Sequence, residues 1–221
     1  MSTGLFQPVA EAVGKIVRTQ LDGISNVQQP LIVDVGCGEG YFTAHFSEYL
    51  NATESGANPI VFGLDVSKWA VSAAAARYKN IAWAVASGRA LPIESGSPTM
   101  ITTLFGFQFW KHWSTVQKVG GLVAIVDAGP EHLIELRQII YPELRVRDAP
   151  THSEAAASNF GLICSERVTY DRQVEASLLP DILEMTPHGH KTSAEARSSV
   201  SEVSNLQLTI DTVIRVFRLT D

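Results

Sequence analysis

The chain holds 221 residues, 45% hydrophobic and 18% charged, with a formal charge of −6 and a pI near 5.5. Those totals describe a soluble globular protein with a core of its own and exclude a disordered chain. They also exclude a global attraction to polyanions, so a nucleic-acid partner would need a local basic patch. The start, "MSTGLFQPVAEAV", has no basic residues followed by a long apolar run, and no segment has the length to span a bilayer. The expectation is a cytoplasmic protein with no membrane partner. Cys37 and Cys164 lie far apart and match no metal or disulfide spacing. Both are expected as small buried hydrophobes, and no metal is expected.

In chain order, Val9–Leu21 has apolar residues at helical spacing and predicts a leading helix. A first strand, "PLIVDVG", runs into a glycine turn and a helix over Tyr41–Leu50. A polar loop, Asn51–Pro59, precedes a second strand over Ile60–Val66, after which Ser67 caps "KWAVSAAAARYK". A third strand over Ile81–Ser87 is separated by "ESGSPT" from a fourth over Met100–Gly106. "FQFWKHWSTVQK" predicts a helix that ends at Gly120-Gly121, ahead of a fifth strand, "LVAIVDA". Glu131–Tyr141 is an amphipathic helix stopped by Pro142. Two strands remain, over Gly161–Tyr170 and Leu206–Leu219, with helices in "ASLLPDILEM" and "TSAEARSSVSEV" between them. The first five strands alternate with helices and the last two resemble a hairpin. That order predicts an α/β fold, Rossmann-like: a seven-stranded, mostly parallel sheet with an antiparallel last strand and helices on both faces. One domain is expected over residues 1–221, with 1–29 as leading helix and connector.

The glycine turn carries the chemistry. "VDVGCGEG" places Gly36, Gly38 and Gly40 directly after a strand, where bare backbone lets a ligand approach closely. Dinucleotide-binding enzymes have a similar loop, GxGxxG, but it requires glycine where Tyr41 stands. Asp34 sits inside the strand ahead of the turn, where a carboxylate can reach an amino group. Asp65 ends the second strand, the position that holds ribose hydroxyls. An acid before the glycines favours S-adenosylmethionine, whose ammonium wants a carboxylate and whose skeleton has no phosphate. A plainer role for Gly38 or Gly40, chain reversal alone, stays open.

"VDVGCGEGYFT", "FGLDVSKWAVSAAAARY", "VASGRALPI", "DAGPEHLIELRQIIY" and "EMTP" together resemble the 23S rRNA guanine-N1 methyltransferases, from about Pro30 to the C-terminus. The resemblance implies a class I methyltransferase fold, S-adenosylmethionine as methyl donor and a guanine ring nitrogen as acceptor. It implies that Asp34, Gly36, Gly38 and Gly40 surround the methionine part, Asp65 binds the ribose diol, Val66 lies beside the adenine and Ser87 approaches its edge. It places His132 and Leu133 on the substrate side. Three features depart from the family's pattern. Its N-terminal zinc-binding module has no counterpart before Pro30, where no cysteine stands. Thr99, Thr103 and Phe105 occupy positions where polar or charged groups are expected. "MTPHGH" replaces an aromatic and basic continuation.

Ligands of open α/β sheets bind beyond the carboxyl ends of the strands, so "FGFQFWKHW" (Phe105–Trp113) borders the transferred methyl. Phe105, Phe109 and Trp113 share a helical face and are expected in the core. Phe107, Trp110 and His112 lie off that face and, with His188, are the pocket candidates. His112, His132, His188 and His190 are the candidate general bases, His112 and His132 foremost. Transfer from a sulfonium can also proceed by positioning alone. Arg137, Arg145, Arg147, Arg167 and Arg172 are the cations best suited to RNA. Three functions stand: an rRNA-type guanine N-methyltransferase, an N-methyltransferase of a small purine-like heterocycle, and a non-catalytic cofactor-binding accessory subunit. The corresponding partners are guanine-containing RNA, a small heterocycle, and a second copy of the chain or an accessory partner.

Overall fold

Near-continuous apolar runs, rather than alternating ones, mark strands covered on both faces. Apart from Asp34, Thr102, Thr103 and Asp127, three strands of this chain read that way. In a computed structural model, which describes residues 4–24, 29–52, 58–144, 150, 152–186, 189 and 192–221, they form the middle of one sheet. These are β1 (Leu31–Val35), β4 (Met100–Leu104) and β5 (Leu122–Ala128). β2 (Ile60–Asp65) and β3 (Ala82–Val85) extend the sheet on one side. β6 (Phe160–Glu175) and β7 (Asn205–Leu219) complete the order β3-β2-β1-β4-β5-β7-β6. β1–β2, β2–β3, β1–β4 and β4–β5 pair in parallel, with Asp34 opposite Gly63 on one side and Thr102 on the other. β7 runs antiparallel: the Leu219 N–H bonds the Gly121 carbonyl at 2.9 Å, while the Gly129 N–H bonds the Asp211 carbonyl at 2.8 Å. The sheet is the expected Rossmann-like methyltransferase architecture, with helices around it.

Two compact units make up the chain. The first comprises Met1–Asp127, Thr151–Glu166 and Val213–Asp221; the second comprises Ala128–Pro150 and Arg167–Thr212. In the first unit, α1 (Gln7–Asp22) buries Val9, Val13, Ile16, Val17 and Leu21, a stripe at helical spacing. It packs on α2 (Tyr41–Ala52), and Gly14 makes the approach possible, because a β-carbon there would lie 2.9 Å from the Tyr49 ring. The buried Arg18 guanidinium donates to the Leu50 carbonyl, placing a cation at the C-terminal end of α2, where the helix dipole favours it. α3 (Lys68–Arg77) starts as expected at Ser67, whose hydroxyl accepts from the Ala70 N–H at 3.3 Å. The core between these layers includes Val33, Leu64, Ile101, Trp113, Ile125 and Phe217. Each large side chain buried there contributes roughly 1.5–3 kcal/mol.

Several boundaries depart from the sequence expectation. No helix lies between β3 and β4. The helix expected from Phe107 begins only at Trp110, as α4 (Trp110–Val116), because Phe105 takes a left-handed conformation (φ 55°) and Phe109 supplies no side-chain cap. α5 (Ile134–Ile140) likewise starts after a turn that ends at Leu133 with φ 52°. A short helix, α6 (Ser153–Ala157), escaped prediction; five residues are too few to show a period. In the second unit, Ala176–Leu178 form a 3₁₀ turn leading into α7 (Leu179–Glu184). α8 (Ala194–Ser201) is capped by the Ser193 hydroxyl, which accepts from the Ala196 N–H at 3.2 Å.

Candidate active site

β1 ends at Val35, and the chain reverses through Gly36, Gly38 and Gly40 at φ 76°, 55° and 79°. L-residues carry a strain in that region that glycine avoids. A β-carbon on Gly36 or Gly38 would meet nothing within 4 Å, so these two glycines face open space. Gly40 differs: its β-carbon would lie 2.5 Å from Cη2 of Trp83, so this glycine serves packing. The loop's amides are mostly engaged. Those of Gly36 and Cys37 donate to the Leu64 carbonyl at 2.8 and 3.0 Å, and that of Gly40 to the Cys37 carbonyl at 2.9 Å. The Gly38 N–H donates to Asp65 Oδ2 at 3.0 Å, and the Ser67 N–H to Asp65 Oδ1 at 2.8 Å. A phosphate cradle needs its amides unengaged; this turn offers shape and carboxylate instead. Asp65 is half-exposed, and each oxygen keeps acceptor capacity for a ribose hydroxyl.

Asp34 lies inside β1 ahead of the turn, as expected, and has 1% of its surface exposed. Oδ1 accepts from the Thr102 hydroxyl at 2.7 Å, and Oδ2 accepts from the Thr43 hydroxyl. Burial pushes its carboxyl up to about 6, against the two hydroxyl bonds that favour the ionised form. The residue braces β1 against β4 and the first turn of α2, and so fixes the direction in which the glycine turn leaves the sheet. Thr43 and Thr102 are site residues that the sequence reading missed. The available signal was a pair of threonines inside the apolar strand "MITTL", since a buried hydroxyl needs a partner. The second of the pair, Thr103, is fully buried, and its hydroxyl has no hydrogen-bond partner among the described residues. The cysteines are half-buried, not buried, and burial pushes the Cys37 thiol up.

Beyond Asp65, Val66 and Trp69 are 72% and 78% exposed, an apolar wall where the adenine was expected. The Ser87 hydroxyl accepts from the Arg89 N–H at 3.2 Å and so closes the turn after β3. After β4, Phe107 is 83% exposed. Trp110 is 3% exposed and packs edge-on against Trp113 and Phe217, with ring centroids 5.7 and 4.9 Å away, while it also lines the cavity that His112 borders. The helical face invoked for Phe105, Phe109 and Trp113 does not exist, because α4 starts after the first two. Phe105 instead packs against Phe6 and Phe42, with ring centroids at 6.1 and 5.8 Å.

Two of the candidate bases are hydrogen-bonded within the fold. His112 lines a cavity of about 570 Å³ with Arg89, Gln108, Phe109 and Lys111. Its Nε2 accepts from the Leu91 N–H at 3.0 Å, so the lone pair a base would use is engaged. His132 belongs to the second unit, where its Nδ1 accepts from the Asp211 N–H at 3.3 Å. His188, His190, Arg145 and Arg147 lie outside the described residues. Of the other RNA candidates, Arg137 is buried and donates to the Pro130 carbonyl at 2.7 Å. Arg167 binds Asp211 through Nε at 2.7 Å and Glu131 through Nη2 at 3.0 Å. A further cluster had no sequence signal: Asp127 Oδ2 lies 3.1 Å from His152 Nε2 and 3.0 Å from Arg215 Nη1. Burial pushes the Asp127 carboxyl up and the His152 ring down. Among the described residues no group of three or more His, Cys, Asp or Glu could hold a metal, and no helix is long and apolar enough to cross a membrane.

This Rossmann-like sheet coincides with a match of residues 32–129 to the family described as "Methyltransferase domain". The protein is an S-adenosylmethionine-dependent methyltransferase. Among proteins of known name it is similar to YxjB of Bacillus subtilis (strain 168), a candidate 23S rRNA (guanine-N(1)-)-methyltransferase. The identity is 25% over 218 residues, covering 96% of this chain and 74% of that one. Among solved structures it shares its fold with the Bacillus subtilis YcgJ protein (TM-score 0.58, 15% identity, 95% of this chain and 98% of that one). It also shares it with geranyl diphosphate methyltransferase in complex with S-adenosylmethionine (TM-score 0.56, 12% identity, 95% and 85% covered).

Proposed function

We propose that the enzyme methylates a ring nitrogen of guanine presented by RNA. The observation that carries a planar acceptor is Phe107, an aromatic ring 83% exposed just past the carboxyl end of β4. Base stacking on such a ring is sequence-tolerant and typical of single-stranded RNA recognition. Guanine follows the name of the relative that matches 96% of the chain. Asp65 would hold the ribose of the cofactor and the open side of Gly36 and Gly38 its methionine portion; the bound cofactor supplies a methyl group on a sulfonium. The chain's part is positioning. Phe107 orients the base, the turn braced by Asp34 fixes the donor side, and the acceptor proton leaves to solvent, since the His112 Nε2 lone pair is engaged. A small purine-like heterocycle is the second reading. It is favoured by the −6 charge and by the engagement of Arg137 and Arg167 within the fold.

A tritiated-methyl assay tests the proposal, run in parallel on unmodified 23S rRNA and on a panel of free purine bases and nucleosides. Counts in RNA that fall steeply with salt, as phosphate contacts require, are the expected outcome. Counts confined to the free bases would replace it with the second reading, and counts in neither would remove both acceptors. Cytoplasmic location belongs to the same proposal, and a cell-fractionation blot checks it.

A further inference from the structure

Strand β6 is last in the sheet order, with no described strand beyond it, and of its residues only Phe160 and Val174 are buried. An edge strand presents backbone donors and acceptors to any strand that can lie alongside, and proteins deter such pairing with charges. Along "ERVTYDR" the charges are not of one sign: they reverse about Thr169. We propose that this edge pairs antiparallel with the same edge of a second copy of the chain, about a two-fold axis at Thr169. The sheet then continues across both chains.

The order of the charges carries the inference. With the axis at Thr169, Arg167 lies opposite Asp171 and Glu166 opposite Arg172, each pair occurring twice by symmetry. Residues directly opposite in an antiparallel ladder point to the same face, with β-carbons about 5 Å apart, close enough for the pairs to form. The neighbouring two-fold registers are centred on Val168 or Tyr170, because a shift by one residue would turn the side chains to the other face. Neither of them sets opposite charges against each other, so only the Thr169 register pairs all four charged residues. Such an edge deters foreign strands and accepts its own antiparallel copy. Glu166 and Arg172 are exposed and enter no ion pair among the described residues; the Arg172 guanidinium rests over the Tyr170 ring, 5.2 Å from its centroid. Arg167 and Asp171 already have partners within the fold, Arg167 on Asp211 and Glu131, and Asp171 on Gln207 Nε2 at 3.0 Å and Thr209 Oγ1 at 3.2 Å, so the Glu166–Arg172 pairs carry the recognition.

Sedimentation of the full chain tests this. The wild type should run at twice the monomer mass. Glu166→Arg alone and Arg172→Glu alone should each weaken association at least about tenfold, because each sets like charges opposite. The double variant should dimerise again, and an equimolar mixture of the two single variants should form mixed dimers. Circular dichroism and cofactor binding, measured on the same samples, establish that the variants fold. They also keep the outcome separate from that of the methyl acceptor. A monomeric wild type overturns the proposal. So does a dimer that neither reversal moves, or single variants that recover neither in the double variant nor in the mixture.

Discussion

Two carboxylates flank the glycine turn, Asp34 ahead of it in β1 and Asp65 at the end of β2. Asp65 is half-exposed and holds the N–H groups of Gly38 and Ser67, so it shapes the turn while keeping acceptor capacity for a ligand. Asp65→Ala should weaken S-adenosylmethionine binding roughly 100-fold, the equivalent of ~3 kcal/mol for charge-assisted hydrogen bonds. Calorimetry reads it directly, and unchanged affinity would move the ribose site elsewhere. Asp34 is sealed in, and its carboxyl is raised from 3.8 to about 6. The folded chain therefore holds that proton more tightly than the unfolded chain does. As pH climbs between those two values the unfolded state releases it first. Folding then loses up to roughly 3 kcal/mol, all of it present as a penalty above about pH 6 and none below about pH 4. Asp34→Asn should flatten the pH dependence of the urea midpoint across that window; a slope equal to that of the wild type would contradict the buried, raised carboxyl.

At the scale of elements, the glycine turn holds glycines that are not equivalent. Gly36→Ala faces open space and meets only the strain of a left-handed L-residue, about 1 kcal/mol. Gly40→Ala meets that strain and the Trp83 ring as well, and should cost about 2–4 kcal/mol. Thermal or urea melts of the two variants check the ordering. How much of this was legible follows from which signals are local. β5 was read to the residue because "LVAIVDA" is bounded by glycines on both sides, and Ser67 was read as a cap because a cap depends on neighbours alone. The helix after β4 was read three residues too early, because a left-handed Phe105 is imposed by packing that no period reveals. The burial of Trp110 went unread for the same reason: its facing partners, Phe160 and Phe217, come from strands fifty or more residues away. The partners of Asp34 also lie on other elements, so sequence located the carboxylate but not what it touches.

For the whole molecule, burial is concentrated in the middle of the sheet. Every residue of β4 is buried, as are four of the five in β1, whereas Ala82 and Val85 of the edge strand β3 are exposed. Opening free energies follow that gradient, so amide hydrogen exchange should be slowest in β1, β4 and β5 and much faster in β3. Exchange rates equal across these strands would contradict the layered core. One side chain turns this architecture into an instrument. Trp83 stands against the bare α-carbons of Gly40 and Gly63 and donates from Nε1 to the Tyr78 carbonyl at 3.0 Å. Of the four tryptophans, Trp110 and Trp113 are locked in the core and Trp69 is in solvent. In a Trp69→Phe background, the indole of Trp83 is thus the one tryptophan ring touching the glycine turn. Its emission should shift as S-adenosylmethionine binds, which gives a titration that needs no label and no methyl acceptor.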